Sequence, residues 1–283
     1  MSRKYGFELE FSNQRVSYNN IKAALIASVA LNHPESRVID SETFRAWTVK
    51  SEHCGMEITS PSIESSAESM DMIKNIVDGI RRSTRENGRI VGRDCGFHVH
   101  IDIGEFSLEQ IRNLCRIFYN FEGVLFQFQP SSRRDNRYVR NIVEHGTDWI
   151  DNFDPDVYDD RRHESDFMFD HSSAVSFSRF VNRGTVEFRY AAGTTRGVKV
   201  MSWIRLLLTL VEIAKSYPET IAINRSESIE DLKDFIRENN TCCNWINNQK
   251  NRCCRWIDGR LEELRAGNER RAQRRATNRN RRR

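Results

Sequence analysis

Apolar and polar side chains alternate with a period of two in several short stretches of this chain, and with helical spacing in longer ones. In residues 5–11 (YGFELEF), Tyr5, Phe7, Leu9 and Phe11 share one face of a strand, and Gly6, Glu8 and Glu10 share the other. Residues 96–102 (GFHVHID) set Phe97, Val99 and Ile101 against His98, His100 and Asp102, and this stretch organises the reading of the rest. Residues 185–190 (TVEFRY) set Val186, Phe188 and Tyr190 against Glu187 and Arg189. Glu57 stands between Met56 and Ile58, just before Ser60-Pro61 stops that strand. Strands are also expected over Trp47–Lys50 and Cys54–Ser60, and Ala174–Phe177 is expected to form a hairpin with 185–190 across Asn182-Arg183-Gly184. Helical spacing predicts helices over Asn19–Leu31, over Ile63–Asn87 with Gly88 as its stop, and over Val198–Lys215, the last apolar on most sides. Ser107–Gln110 and Ser228–Asp231 read as caps, opening helices to about Gln129 and to Asn239-Asn240. The fold class is therefore α+β, and the strands are expected to join in one antiparallel sheet with helices over its apolar face.

The other face would gather Glu8, Glu10, Glu57, Asp102 and Glu187 with two imidazoles and the guanidinium of Arg189. Five carboxylates against one obligate cation repel, and each resists ionising in a shielded cleft. Bound cations resolve the conflict. Oxygen-rich ligation with a single imidazole per ion favours Mg2+ or Mn2+ over a structural zinc. Arg189 shares its face with Glu187 and has the planar fork that suits phosphate oxygens. An HxHxD string is also found in zinc hydrolases, but that motif wants a further His after the Asp and Ile103 stands there.

The order GxExE, ExxSP, GxHxH and ExR, with the segment QPSSRRDNRYVR at 129–140, resembles the carboxylate-amine ligases of the glutamine synthetase and glutamate-cysteine ligase superfamily, and their amidoligase branch most closely. The likeness spans roughly residues 4 to 210. It implies a curved antiparallel sheet of glutamine-synthetase-like catalytic type, with one face under helices and the other forming the active site, together with ATP and two magnesium (or manganese) ions. One metal ion would be held by Glu8, His98 and Glu187 and the second by Glu10 and Glu57. His100 would face the nucleotide phosphates and Arg189 would stabilise the phosphoryl group in transfer, with Arg133, Arg134, Arg137 and Tyr138 placed to hold nucleotide or substrate carboxylate. Asp102 would act behind the ligands. The resemblance also implies an Asp-x-Ser stretch shortly before ExxSP. This chain has Lys50-Ser51-Glu52-His53 there, so Glu52 becomes the candidate to complete the second metal's ligands.

Composition adds the boundaries. Hydrophobic content of 38% and 30% charged residues describe a soluble globular chain, and 283 residues suit one large or two small domains. The expected division is a catalytic domain over 1–216, with an acidic insertion or lid at 147–170, a helical extension over 217–267, and an Arg-rich disordered tail over 268–283. Residues 260–283 hold ten arginines against three glutamates, so this tail carries the basic character of a chain whose net charge is +4. Such a tail can hold nucleic acid through phosphate contacts. Seven cysteines, with adjacent pairs at 242–243 and 253–254, fit reduced thiols in a cytoplasm; the pairs match no common zinc spacing and read as packing positions on one helix face. The longest apolar run, residues 204–211, is too short for a bilayer, so no membrane partner is expected.

Together these features point to an ATP- and magnesium-dependent ligase joining a small-molecule or peptide carboxylate to an amine through an acyl phosphate. The alternatives are a phosphotransferase acting on a guanidinium or carboxylate, and a non-catalytic nucleotide- or nucleic-acid-binding protein.

Overall fold

A computed structural model describes residues 2–12, 14, 16–40, 45–52, 54–88, 90–134, 139–153 and 172–280. Its sheet is built on β1 (Lys4–Ser12), β2 (Val38–Ile39), β3 (Trp47–Glu52), β4 (Gly55–Thr59), β5 (Ile63–Glu64), β6 (Gly96–Asp102), β7 (Val175–Ser176) and β8 (Thr185–Ala192). The strand order is β2-β3-β4-β1-β6-β8-β7, with β5 pairing beside β4 on β1. This sheet is open and uncurled where a curved one was expected, and it is mostly rather than wholly antiparallel, because the two-residue β2 joins β3 in parallel. The three strands with the strongest alternation, β1, β6 and β8, are adjacent at its centre.

The helices α1 (Tyr18–Asn32), α2 (Ala67–Ser83), α3 (Leu108–Gln127) and α7 (Gly197–Ser216) share one hydrophobic core with the apolar face of the sheet. Phe118 of α3 lies 4.5 Å, centroid to centroid, from Phe188 of β8, and Tyr190 packs edge-on to Phe126 at 5.1 Å. Burying one such ring contributes about 1.5–3 kcal/mol, so this interface fixes which side of β8 faces inward. A buried ion pair ties the layers together. Arg3 Nε meets Glu212 of α7, and its Nη1 donates to the Asp102 carbonyl at 2.6 Å.

Several boundaries differ from the sequence expectation. The helix expected over Ile63–Asn87 is three pieces: Ile63–Glu64 pairs with Lys4–Tyr5, Ser66 and Ser69 then form a reciprocal cap that starts α2, and Arg85–Asn87 is a separate 3-10 turn. The cap decides the start, because it satisfies orphan N–H groups only from Ser66 onward. The short helices α4 (Ser131–Arg134) and α5 (Asp148–Asn152) follow α3. β7 and β8 do pair, but a one-turn helix, α6 (Phe180–Arg183), replaces a tight turn, ending at Gly184 in the left-handed region (φ 64°). The 147–170 insertion lies outside the described residues after Phe153.

Beyond α8 (Ile229–Glu238), α9 runs as one helix from Asn244 to Asn280, where composition predicts disorder past Asn268. The segment contains no proline and is rich in Arg, which loses little on entering a helix. Cys242 and Cys243 precede α9 while Cys253 and Cys254 lie on it, so the pairs do not share one helix face. Cys243, Cys253 and Cys254 are nevertheless buried. Among the described residues no helix is long and apolar enough to cross a membrane.

Candidate active site

The pairing register sets the geometry. Glu8 lies opposite His98 and also opposite Thr59, and His100 lies opposite Glu187, so three adjacent strands present their polar side chains to one wall. His98 Nδ1 is 3.3 Å from Glu8 Oε2 and 3.5 Å from Glu187 Oε1. His100 Nε2 is 3.3 Å from Glu8 Oε1 but lacks the alignment of a hydrogen bond, although it is buried. Two groups have ligand atoms all within 4.8 Å of one another: Glu8, His100 and Glu187, and Glu8, Glu57 and His98. Glu8 belongs to both.

Alternation along β8 keeps Arg189 on the polar wall with Glu187, and a bulge sets it beside His98. Between Phe97 and Val99 the ladder shifts, so that Arg189 and Tyr190 of β8 together oppose His98 alone. Tyr190 keeps its place in the core, and its hydroxyl donates to Glu122 at 3.3 Å. Arg189 stays on the polar wall, with Nη1 against Glu187 and 3.4 Å from His98 Nδ1. The guanidinium of Arg133 is buried on the same side. Its Nη2 donates to the Arg189 carbonyl at 3.3 Å, and together with His98 Nε2 it occupies the space that a Cβ on Gly96 would need.

Burial opposes every charge here, and the neighbours decide each outcome. For Glu8, the imidazoles of His100 and His98 outweigh burial and hold the carboxyl well below the usual range. Glu187 is likewise held low by His100, Arg189 and His98, against both burial and Glu8. His100 is raised, because Glu8 and Glu187 outweigh its burial. Glu57 goes the other way: burial and then the charge of Glu8 push it up to about 9, although Lys50 Nζ sits 3.1 Å away. Arg133 is lowered to about 10 by burial, with Glu10 acting against that.

A divalent cation fits this donor set. It would relieve the crowding that pushes Glu57 up, and it would give the buried His100 Nε2 a better-aligned partner than the Glu8 carboxylate at 3.3 Å. Oxygen donors with one imidazole in each group suit Mg2+ or Mn2+.

The sequence matches the family described as "Putative amidoligase enzyme" over residues 1–211, which is most of the chain and includes every strand of the sheet. The chain belongs to the amidoligase family. No curated protein matches it.

Within this amidoligase-family site, Glu8, Glu57, His98, His100, Glu187, Arg189 and Arg133 converge. Other candidates stand apart. Glu10 is absent from both ligand groups: its carboxylate accepts the Gly96 N–H, with Cys54 Sγ 3.4 Å away, and only its Oε1 approaches His98 Nε2, at 3.8 Å. Glu52 is at the rim, 3.3 Å from Lys50 Nζ, and belongs to neither group. Asp102 accepts the Gly104 N–H at 3.1 Å and serves a turn. Arg134 bonds the carbonyls of Gln127 and Gln129 at the end of α3, the dipole-facing role open to any basic residue at a helix C-terminus. Arg137, Tyr138 and His53 lie outside the described residues. The sequence reading missed Lys50 as a partner of Glu57. The signal was available, because alternation from Trp47 and Val49 puts Lys50 on the polar face, and pairing β3 with β4 sets it opposite Glu57.

Proposed function

We propose that this amidoligase-family protein is an ATP- and magnesium-dependent carboxylate-amine ligase on a glutamine-synthetase-like catalytic sheet. The observation that carries the reading is the convergence of Glu8, His98, His100 and Glu187 on one wall, with Arg189 of β8 on the same face and 3.4 Å from His98 Nδ1. Glu8, Glu187 and His100 would hold one ion, and Glu8, Glu57 and His98 the second. When bound, the ions neutralise phosphate charge and polarise phosphoryl oxygens. The chain's own residues then have three tasks. Arg189, whose Nε is buried without a hydrogen bond, presents its fork to the phosphoryl group moving from ATP to the substrate carboxylate. Arg133 adds a second buried guanidinium, which holds the β8 backbone and raises the local positive potential. The wall as a whole fixes the carboxylate and the ATP phosphates in line, so that an amine can displace phosphate from the acyl phosphate; positioning of this kind supplies much of such a barrier reduction.

The test is phosphate release from magnesium ATP across a panel of amines and amino acids, comparing the parent with Glu187→Gln. Amine-stimulated release with an amide product, abolished in the variant, is the expected result. A stable phosphorylated acceptor would instead assign a phosphotransferase, and release unchanged in the variant would overturn the reading.

A further inference from the structure

A second cavity, of about 750 Å³, lies between the turn at 92–94, the end of β8, α7 and the middle of α9. None of Glu8, His98, His100 and Glu187 lines it. Its size is that of sites that enclose small molecules or single nucleotide units. Five cationic side chains line it, Arg93, Arg134, Lys199, Arg260 and Arg270, against the single carboxylate of Glu263. That carboxylate is already divided among Arg196, Lys199 at 3.1 Å and Arg260 at 2.8 Å. Arg93 and Arg270 form no ion pair or hydrogen bond among the described residues and are exposed to the opening. The crowding is felt by Lys199, whose pKa burial and then Arg260 lower. The cavity therefore has an uncompensated positive charge that attracts anions.

Its wall also has an aromatic part. Trp256 is partly exposed there, held edge-on by Trp203 and by Phe128, each at 6.1 Å between ring centroids. A rigidly braced indole beside arginines is a platform on which a nucleobase can stack while its phosphates meet guanidinium groups. The positive charge does not end at the cavity. α9 continues from Arg260 for twenty residues to Asn280, roughly 30 Å at helical rise, and its sequence places further arginines at 265, 271, 274, 275 and 279. A free mononucleotide would leave that array unused.

We propose that this cavity and the α9 stretch leading from it bind single-stranded nucleic acid, with one base against Trp256 and the phosphodiester backbone meeting Arg93 and Arg270. The site is separate from the acidic wall and does not depend on the ligase reading. The test uses the full chain and a 15-nucleotide oligothymidine in EDTA, followed by anisotropy of a labelled strand and by tryptophan fluorescence, at salt from about 50 to 200 mM. The expected results are binding without magnesium that weakens steeply with salt, quenching lost in Trp256→Leu, and at least tenfold weaker binding in the double variant Arg93→Glu/Arg270→Glu. Both arginines are exposed, so this variant keeps the fold. Glu187→Gln should bind the strand as the parent does. Three outcomes each overturn the proposal: the double variant binding like the parent, a mononucleotide binding as tightly as the 15-mer, or binding that requires magnesium and disappears in Glu187→Gln. The last would place the nucleotide at the acidic wall and leave the ligase reading standing.

Discussion

Lys50 Nζ lies 3.1 Å from the buried carboxylate of Glu57, a member of one of the two candidate metal-ligand groups. A protein ammonium and a metal ion therefore compete for the same oxygen atoms. Removing the ammonium as Lys50→Met should strengthen the weaker step of a manganese titration by roughly tenfold, the scale of one partly screened charge contact. Isothermal calorimetry of parent and variant reads this directly; identical isotherms would show that Lys50 does not compete.

Gly96 holds no side chain because His98 Nε2 and Arg133 Nη2 fill the space where its Cβ would go, at 2.5 and 2.7 Å. Both side chains are almost fully buried. Gly96→Ala should therefore displace an imidazole ligand and lower divalent-metal affinity by about ten- to a hundredfold, as loss of ligand orientation does elsewhere. Its effect on the thermal midpoint without metal should be much smaller.

Glu122, buried in α3, accepts the N–H groups of Ile142 and Val143 at 3.0 Å each and the Tyr190 hydroxyl. Burial outweighs these bonds and raises its pKa from 4.5 to about 7. The folded protein thus binds a proton that the unfolded chain has released between those values, so this group makes stability fall as pH rises from about 4.5 to 7. The full effect is about 3 kcal/mol, present below the window and lost above it. Urea midpoints at pH 5 and pH 8 should differ less in Glu122→Gln than in the parent.

The Arg3–Glu212 pair, with both side chains 5% exposed, joins the residue just before the first strand to α7. Removing one partner leaves a buried charge unanswered, and Arg3→Met should cost about 3–5 kcal/mol in chemical denaturation. The double variant Arg3→Met/Glu212→Leu should regain most of that loss. If it is no better than the single change, the arginine acts through its bond to the Asp102 carbonyl instead.

The parts of this fold that the sequence made legible are those with a strict period. Alternation in 5–11, 96–102 and 185–190 marked the central strands, and the faces assigned there to Glu8, His98, His100 and Glu187 are the faces they occupy. What was hidden depends on contacts distant along the chain. Ile63–Glu64 reads as helix by its spacing, yet it pairs with β1 because Ser66 caps the helix later. Arg134 and Arg133 are adjacent and identical in type, but one reaches the buried wall and the other caps α3; only the path of the chain after Pro130 separates them. The cavity at α9 draws on residues from 92 to 270, and no local pattern announces it.

The extra residue in β8 opposite His98 also constrains how this strand can change over time. Glu187 and Tyr190, three positions apart in a strand of period two, face opposite layers, and the extra residue lets both keep their places against the ladder of β6. Losing or gaining a single codon between Phe188 and Ala191 would turn either the acidic ligand or the core tyrosine to the wrong side. Conservative exchanges along β8 should be tolerated at Val186 or Ala192, whereas its length should be nearly frozen.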